Sequence, residues 1–242
     1  VEKMTSPLLH RAVLNNVLWC DAVCAAQGSA GEFSPTLWQI SGGTPPFYPN
    51  AITLTGEATA NEQETAIAGL TRLRPGGWGV KDSYCAIDLS PQEFEILFEA
   101  EWIGLEANTP FKSSHDDLTW RRITTATELD AWETAWAGGE RHERPIFAER
   151  LLRDPAIVIL AAYANGDLSG GGILNHQGGV VGHSNLFAIG NKEDLVRAGL
   201  IREARRLFPG QPVVGYERSN DLDSALALGF TTLGPLRVWV RG

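Results

Sequence analysis

Tyr216 and Glu217 close a short apolar run, Val213-Val214-Gly215, and set a phenol that can give a proton beside a carboxylate that can take one. The same pair reads as a packed strand aromatic followed by a solvated strand end. His183 and Ser184 lie inside a second apolar run, 180–188. Strand neighbours alternate sides, so one of the two faces any cleft on that side. An imidazole there is either a base near neutral pH or a hydrogen-bonded structural residue. Cys20 and Cys24 stand one helical turn apart. They make a metal pair only if two further ligands converge, so buried thiols are the stronger reading and no metal is expected. Asn15-Asn16 put two amides into an apolar helix, toward either a substrate or a neighbouring loop. Trp38, Phe47 and Tyr48, with Pro45, Pro46 and Pro49, make an aromatic–proline loop that either lines a pocket or packs rigidly. The charged segment 139–144 reads as a solvated loop. The sequence holds no nucleophile elbow, no zinc spacing and no dinucleotide glycine fingerprint.

Composition narrows the classes. The chain has 242 residues, 43% hydrophobic and 20% charged, enough to bury a sizeable core and too apolar for disorder. That length makes one large domain or two small ones. A net charge of -9, from 20 Lys+Arg against 29 Asp+Glu, argues against nucleic acid or an anionic membrane as partner. No apolar run approaches the roughly 20 residues of a spanning helix. Three cysteines are too few for a disulfide framework. The opening residues lack an apolar signal core, and Met4 reads as the natural start. A reduced, cytoplasmic setting is therefore expected.

The elements that must position these residues follow from periodicity. Leu9, Val13, Val17, Cys20 and Cys24 share one helical face, with Gly28 as the stop. A short strand is expected at 52–54, a helix from about 61 to 74 carrying Ile67, Leu70 and Leu73 on one side, and a strand over 78–89. Ser90-Pro91-Gln92-Glu93 predicts a helix start, with Phe94, Leu97, Phe98, Trp102 and Leu105 as its stripe. The polar stretch 108–115 predicts a junction, which divides the chain into 1–112 and 113–242. Beyond it come a strand at 118–123, a capped helix from Thr125 bearing Leu129, Trp132 and Trp136, and a second helix over 145–152. Three strands follow: 156–163, 168–175 and 180–188, with Asn165-Gly166 and Gly178-Gly179 as turns. A long helix over 192–208, a strand at 213–216, a short helix at 221–228 and one or two strands over 230–240 complete the order. This is an α+β (α/β) chain: a mixed, mostly antiparallel sheet flanked by helices.

From 118 to 242 this order resembles the GNAT N-acetyltransferase superfamily, the acyl-CoA N-acyltransferase fold. The residues that carry the resemblance are the Asn165-Gly166 hairpin, the strand 180–188 leading into a long helix, and the ending Ala225-Leu226-Ala227-Leu228-Gly229-Phe230. The first half then stands as an N-terminal partner half-domain that walls the acceptor side. The resemblance implies acetyl-CoA as cosubstrate, an amine of a small molecule or peptide as acceptor, and two strands that splay apart. Unpaired main chain on the fourth strand would bond the pantetheine arm. The pyrophosphate would sit on the amides that open the next helix.

Carried onto this chain, the arm would meet Asn185, Leu186, Phe187 and Ala188, and the phosphate loop would hold Gly190, Asn191 and Lys192, with Asn220 at the start of the short helix beyond. Glu217, Tyr216 and His183 are the catalytic candidates. Two residues depart from the family pattern. Glu193 and Asp194 stand where phosphates would sit, and Ala225 occupies the position of the tyrosine that protonates the departing thiolate. Two functions follow from the resemblance: acyl transfer to an amine, or a non-catalytic ligand-binding or regulatory module of the same fold. An edge strand able to pair two copies leaves a homodimer open.

Overall fold

Ser6 accepts the Leu8 amide proton through its hydroxyl, Pro7 opens the first turn, and α1 (Pro7–Ala26) runs until Gly28 takes a left-handed φ of 96°. The five residues expected on its inner face are all buried. The computed structural model describes residues 6–111 and 117–242. The expected division at 112/113 and the start at Met4 lie outside those residues.

After α1 come β1 (Gly31–Phe33), β2 (Leu37–Ile40), β3 (Ala51–Thr53), α2 (Ala60–Leu73), β4 (Trp78–Asp82) and β5 (Glu95–Leu105). Ile67 buries the inner side of α2, whereas Leu73, at its frayed end, is 80% exposed. The strand expected over 78–89 stops at Asp82. There the carboxylate accepts the amides of Tyr84, Ala86 and Ile87 and folds the chain into a turn.

The helix expected after Ser90 does not form. Ser90–Gln92 makes one 3-10 turn, Glu93 turns left-handed at φ 64°, and the next eleven residues are strand. β5 has sheet neighbours on both sides, and its charges sit at 95, 99 and 101 while Ile96, Phe98, Ala100 and Trp102 share the other face. That period of two, satisfied by two ladders, overrides the helical stripe.

The second half supplies β6 (Thr119–Arg122), α3 (Ala126–Trp136), β7 (Ile157–Ala164), β8 (Asp167–Gln177), β9 (Val180–Ala188), α4 (Glu193–Leu207), β10 (Val213–Glu217), α5 (Ser219–Ala227) and β11 (Thr231–Arg241). Thr125 and Glu128 form the reciprocal cap of α3 as expected. The helix expected over 145–152 shrinks to a 3-10 turn at Glu149–Arg153. The amides of Ile146 and Phe147 instead donate to the buried Glu133 carboxylate, at 2.8 and 2.9 Å, which fixes them in a bend. Asn165 and Gly166 both take positive φ, as a two-residue hairpin turn requires.

All eleven strands join one sheet in the order β1-β2-β3-β4-β11-β5-β10-β9-β8-β7-β6. Most pairs are antiparallel; β3–β4 and β9–β10 are parallel. β5, from before residue 112, pairs with β10, and β11, the last strand, pairs with β4. Each part of the chain thus places its final strand beside the other part. β7 shows how both faces are covered: Ile157, Ile159 and Ala161 join one apolar cluster with α1 and α3, and Val158 and Leu160 join another with α4 and α5.

Candidate active site

β9 and β10 run side by side only at Val181–Val213 and Gly182–Val214. Beyond that point they separate. β10 continues against β5 through Gly215, Tyr216 and Glu217, while β9 continues against β8 on its far side. From His183 to Ala188 one edge of β9 therefore has no strand beside it. The separation begins with Gly215, whose absent side chain leaves room for the His183 ring: a Cβ there would lie 2.5 Å from His183 Nε2. It is reinforced by a bulge. The β8–β9 register shifts between Gly171 and Ile173, and Asn185 takes a left-handed φ of 52°.

A cavity of about 560 Å³ occupies the gap. The sequence candidates His183, Tyr216 and Glu217 line it, as do Asn185, Leu186, Phe187 and Ala188 along the free edge. Gly190 and Asn191 lie on the exposed turn into α4, and Lys192 points back, its Nζ 3.3 Å from Ser169 Oγ. Asn220 is exposed in the first turn of α5 and does not line the cavity.

The first half closes the other side of the cavity. Asn15, buried, holds α1 on the sheet: its amide donates to the carbonyls of Asn175 and Gln177, and Asn175 donates back to the Asn15 carbonyl. Asn16, the next residue, lines the cavity as well. Trp19, Tyr48 and Phe47 add aromatic walls. Of the aromatic–proline loop, Phe47 at φ 69° reaches the rim and packs edge-on to Trp136 at 6.0 Å, while Trp38 is buried in the core. The charged segment 139–144 contributes nothing to this lining.

Two residues not singled out in the sequence dominate the electrostatics. Arg197, 2% exposed on α4, ion-pairs with Glu217 and, at 2.5 Å, with Asp221. It ties α4 to β10 and α5 across one end of the gap. Burial pushes the Glu217 carboxyl above its ordinary value, and Arg197 beside it pulls part of the way back. His183 is driven down to about 3, first by burial and then by Arg197, so its ring is neutral. Its Nε2 has no hydrogen-bond partner, and neither has Ser184 Oγ.

The second residue is Lys81 on β4, 5% exposed. Its Nζ donates to Asn16 Oδ1 at 2.7 Å and sits 3.5 Å from Tyr216 Oη and 4.6 Å above the tyrosine ring. Burial opposes its charge, but the Tyr216 phenol and Cys20 thiol outweigh that and hold it above the ordinary lysine value. Cys20 and Cys24 are buried, and burial raises both thiols. Among the described residues no cluster of three or more His, Cys, Asp or Glu is arranged to hold a metal. Among them also, no helix is long and apolar enough to cross a membrane.

The structure is similar to a GCN5-related N-acetyltransferase from Kribbella flavida at a TM-score of 0.66, with 11% identity, covering 98% of this chain and 96% of that one. A GCN5-related N-acetyltransferase from Sphaerobacter thermophilus aligns at 0.54 with 10% identity, covering 98% and 94%. A conserved protein of unknown function from Staphylococcus epidermidis aligns at 0.62 with 13% identity, covering 87% and 92%. No protein-family model and no curated protein matches the sequence. The chain has the GNAT N-acetyltransferase fold, as the hairpin and the Gly229-Phe230 ending led one to expect. The likeness spans nearly the whole chain, including the half before residue 112, expected from the sequence as a partner half-domain.

Proposed function

We propose that this protein moves an acetyl or other acyl group from CoA to the amine of a small-molecule or peptide acceptor. The parting of β9 from β10 carries this reading, because it leaves a row of main-chain donors and acceptors on 183–188 facing a cavity. Such an edge takes an extended amide-bearing arm as it would take another strand. The pantetheine arm of acetyl-CoA fits that edge. Its anionic end is served less well: Gly190 leaves open space before α4, but Glu193 and Asp194 fill the first helical turn. Lys192 and the amides of 190–193 are the groups able to hold phosphate there.

The thioester supplies an acyl group activated toward an amine. The chain's residues do the rest. Asn185, Leu186, Phe187 and Ala188 hold the arm through their main chain. Glu217, paired with Arg197, accepts the proton the amine gives up. Tyr216, whose hydroxyl stands by the Lys81 ammonium, gives a proton to the departing thiolate, a task Ala225 cannot perform. His183 stays neutral and offers Nε2 as an acceptor in the gap. α1 and the 47–49 loop keep water from the acceptor side.

Calorimetric titration with acetyl-CoA and with free CoA, followed by thiol release across an amine panel, tests this. Both ligands bind and at least one amine releases thiol if the reading holds. Failure of both to bind overturns it. Binding with no release across the panel favours the non-catalytic module, for which Glu193, Asp194 and Ala225 speak.

A further inference from the structure

Lys81 is a buried cation without an acid. Among the described residues no carboxylate lies within ion-pair distance of its Nζ, and the nearby acids are already engaged. Asp82, its chain neighbour, spends its carboxylate on the amides of Tyr84, Ala86 and Ile87. Asp21 accepts from the Gly31 amide at 2.7 Å and from Trp38 Nε1 at 3.0 Å. Glu217 is held by Arg197. An ammonium has three donors; here one meets Asn16 Oδ1, a second approaches Tyr216 Oη, and the third has no acceptor among the described residues. Asn16 spends its oxygen on Lys81, and its Nδ2 has no acceptor among the described residues. Two donors, one of them charged, are thus presented together inside a cavity walled by Trp19, Tyr48 and Trp102.

Among the described residues no carboxylate supplies a counter-charge to this buried ammonium, and an anionic ligand would. We propose that Lys81 and Asn16 receive a carboxylate of the acceptor, so that the acceptor is an amino acid: an amine carrying a carboxylate on an apolar or aromatic body. The term acceptor rests on the acyl-transfer reading above; the carboxylate site itself does not. Tyr216 stands between this site and the free edge of β9, so a carboxylate held on Lys81 leaves the amine of a short amino acid on the side where the gap opens.

Matched pairs of ligands test it on the unaltered protein: phenylalanine, tryptophan and leucine, each against its carboxamide, titrated by calorimetry with and without acetyl-CoA. At least one acid binds about tenfold or more tighter than its amide, the worth of one charge-assisted hydrogen bond. In Lys81→Met, which keeps the length of the side chain, that preference disappears. Equal affinity for acid and amide, no binding of any acid, or a preference that survives Lys81→Met overturns the proposal. If the variant fails to fold, the acid–amide comparison on the natural chain decides alone. Acids that bind when acetyl-CoA does not would remove the acyl-transfer reading and leave the carboxylate site standing.

Discussion

Gly215 and His183 share a space that one of them alone can fill. A ring buried between two strands cannot afford a proton, and Arg197 adds a like charge nearby. The folded imidazole titrates at about 3 against an ordinary 6.5, so the folded state binds fewer protons than the unfolded one. The resulting stability is complete above about 6.5 and is lost as the pH falls toward 3. Urea unfolding followed across that window should show stability falling by up to about 1.4 kcal/mol per pH unit more in the natural chain than in His183→Gln. Parallel profiles would mean that the ring is not held neutral.

The candidates legible in the sequence were those carried on short apolar runs. Tyr216, Glu217 and His183 belong to neighbouring strands of one sheet, and the order of elements brings them to one gap. Lys81 and Arg197 were not seen, for different reasons. Lys81 lies in a run read simply as strand, yet the chain has only four lysines, and one set amid Trp78, Gly79 and Val80 was a signal. Arg197 sits three and four residues before Leu200 and Ile201, on the apolar stripe of α4, where a cation requires acids opposite. Those acids, Glu217 and Asp221, come from later elements, and periodicity within one helix does not reveal them.

At the scale of elements, the bulge in β9 turns the free edge toward the cavity. Asparagine tolerates the left-handed backbone of position 185 and a β-branched residue does not. Asn185→Gly should therefore keep the melting temperature and acetyl-CoA affinity within a small margin, whereas Asn185→Val should lose about 1–2 kcal/mol and weaken binding. Equal tolerance of both substitutions would show that the bulge does not set the edge. The capped helix at Thr125 and the two glycine hairpins were legible because their signals are local. β5 was not, because Phe94, Leu97, Phe98, Trp102 and Leu105 satisfy a helical spacing, while Ile96, Phe98, Ala100 and Trp102 satisfy that of a strand. What decides between them is the pair of ladders from β10 and β11, and β11 joins it from the far end of the chain.

Across the whole molecule, that exchange of strands has a mechanical consequence. β5 lies between β10 and β11, and β11 lies between β5 and β4, so neither part of the chain completes its sheet alone. Thermal and urea unfolding, monitored by tryptophan fluorescence and by far-ultraviolet dichroism, should give one coincident transition. Two separated transitions would show that the parts fold independently despite the shared sheet. The same arrangement fixes the gap: β10 is clamped by β5 on one side, which leaves β9 free to diverge on the other.

The free edge of β9 is where the account is most exposed. Amide hydrogen exchange over residues 183–188, measured with and without saturating acetyl-CoA, reads that edge directly. The amides there that point away from β8 should exchange readily in the free protein and become strongly protected when acetyl-CoA is added, with those of β7 unchanged. Gap-facing amides that are already protected without ligand, or that exchange at the same rate with it, would contradict this.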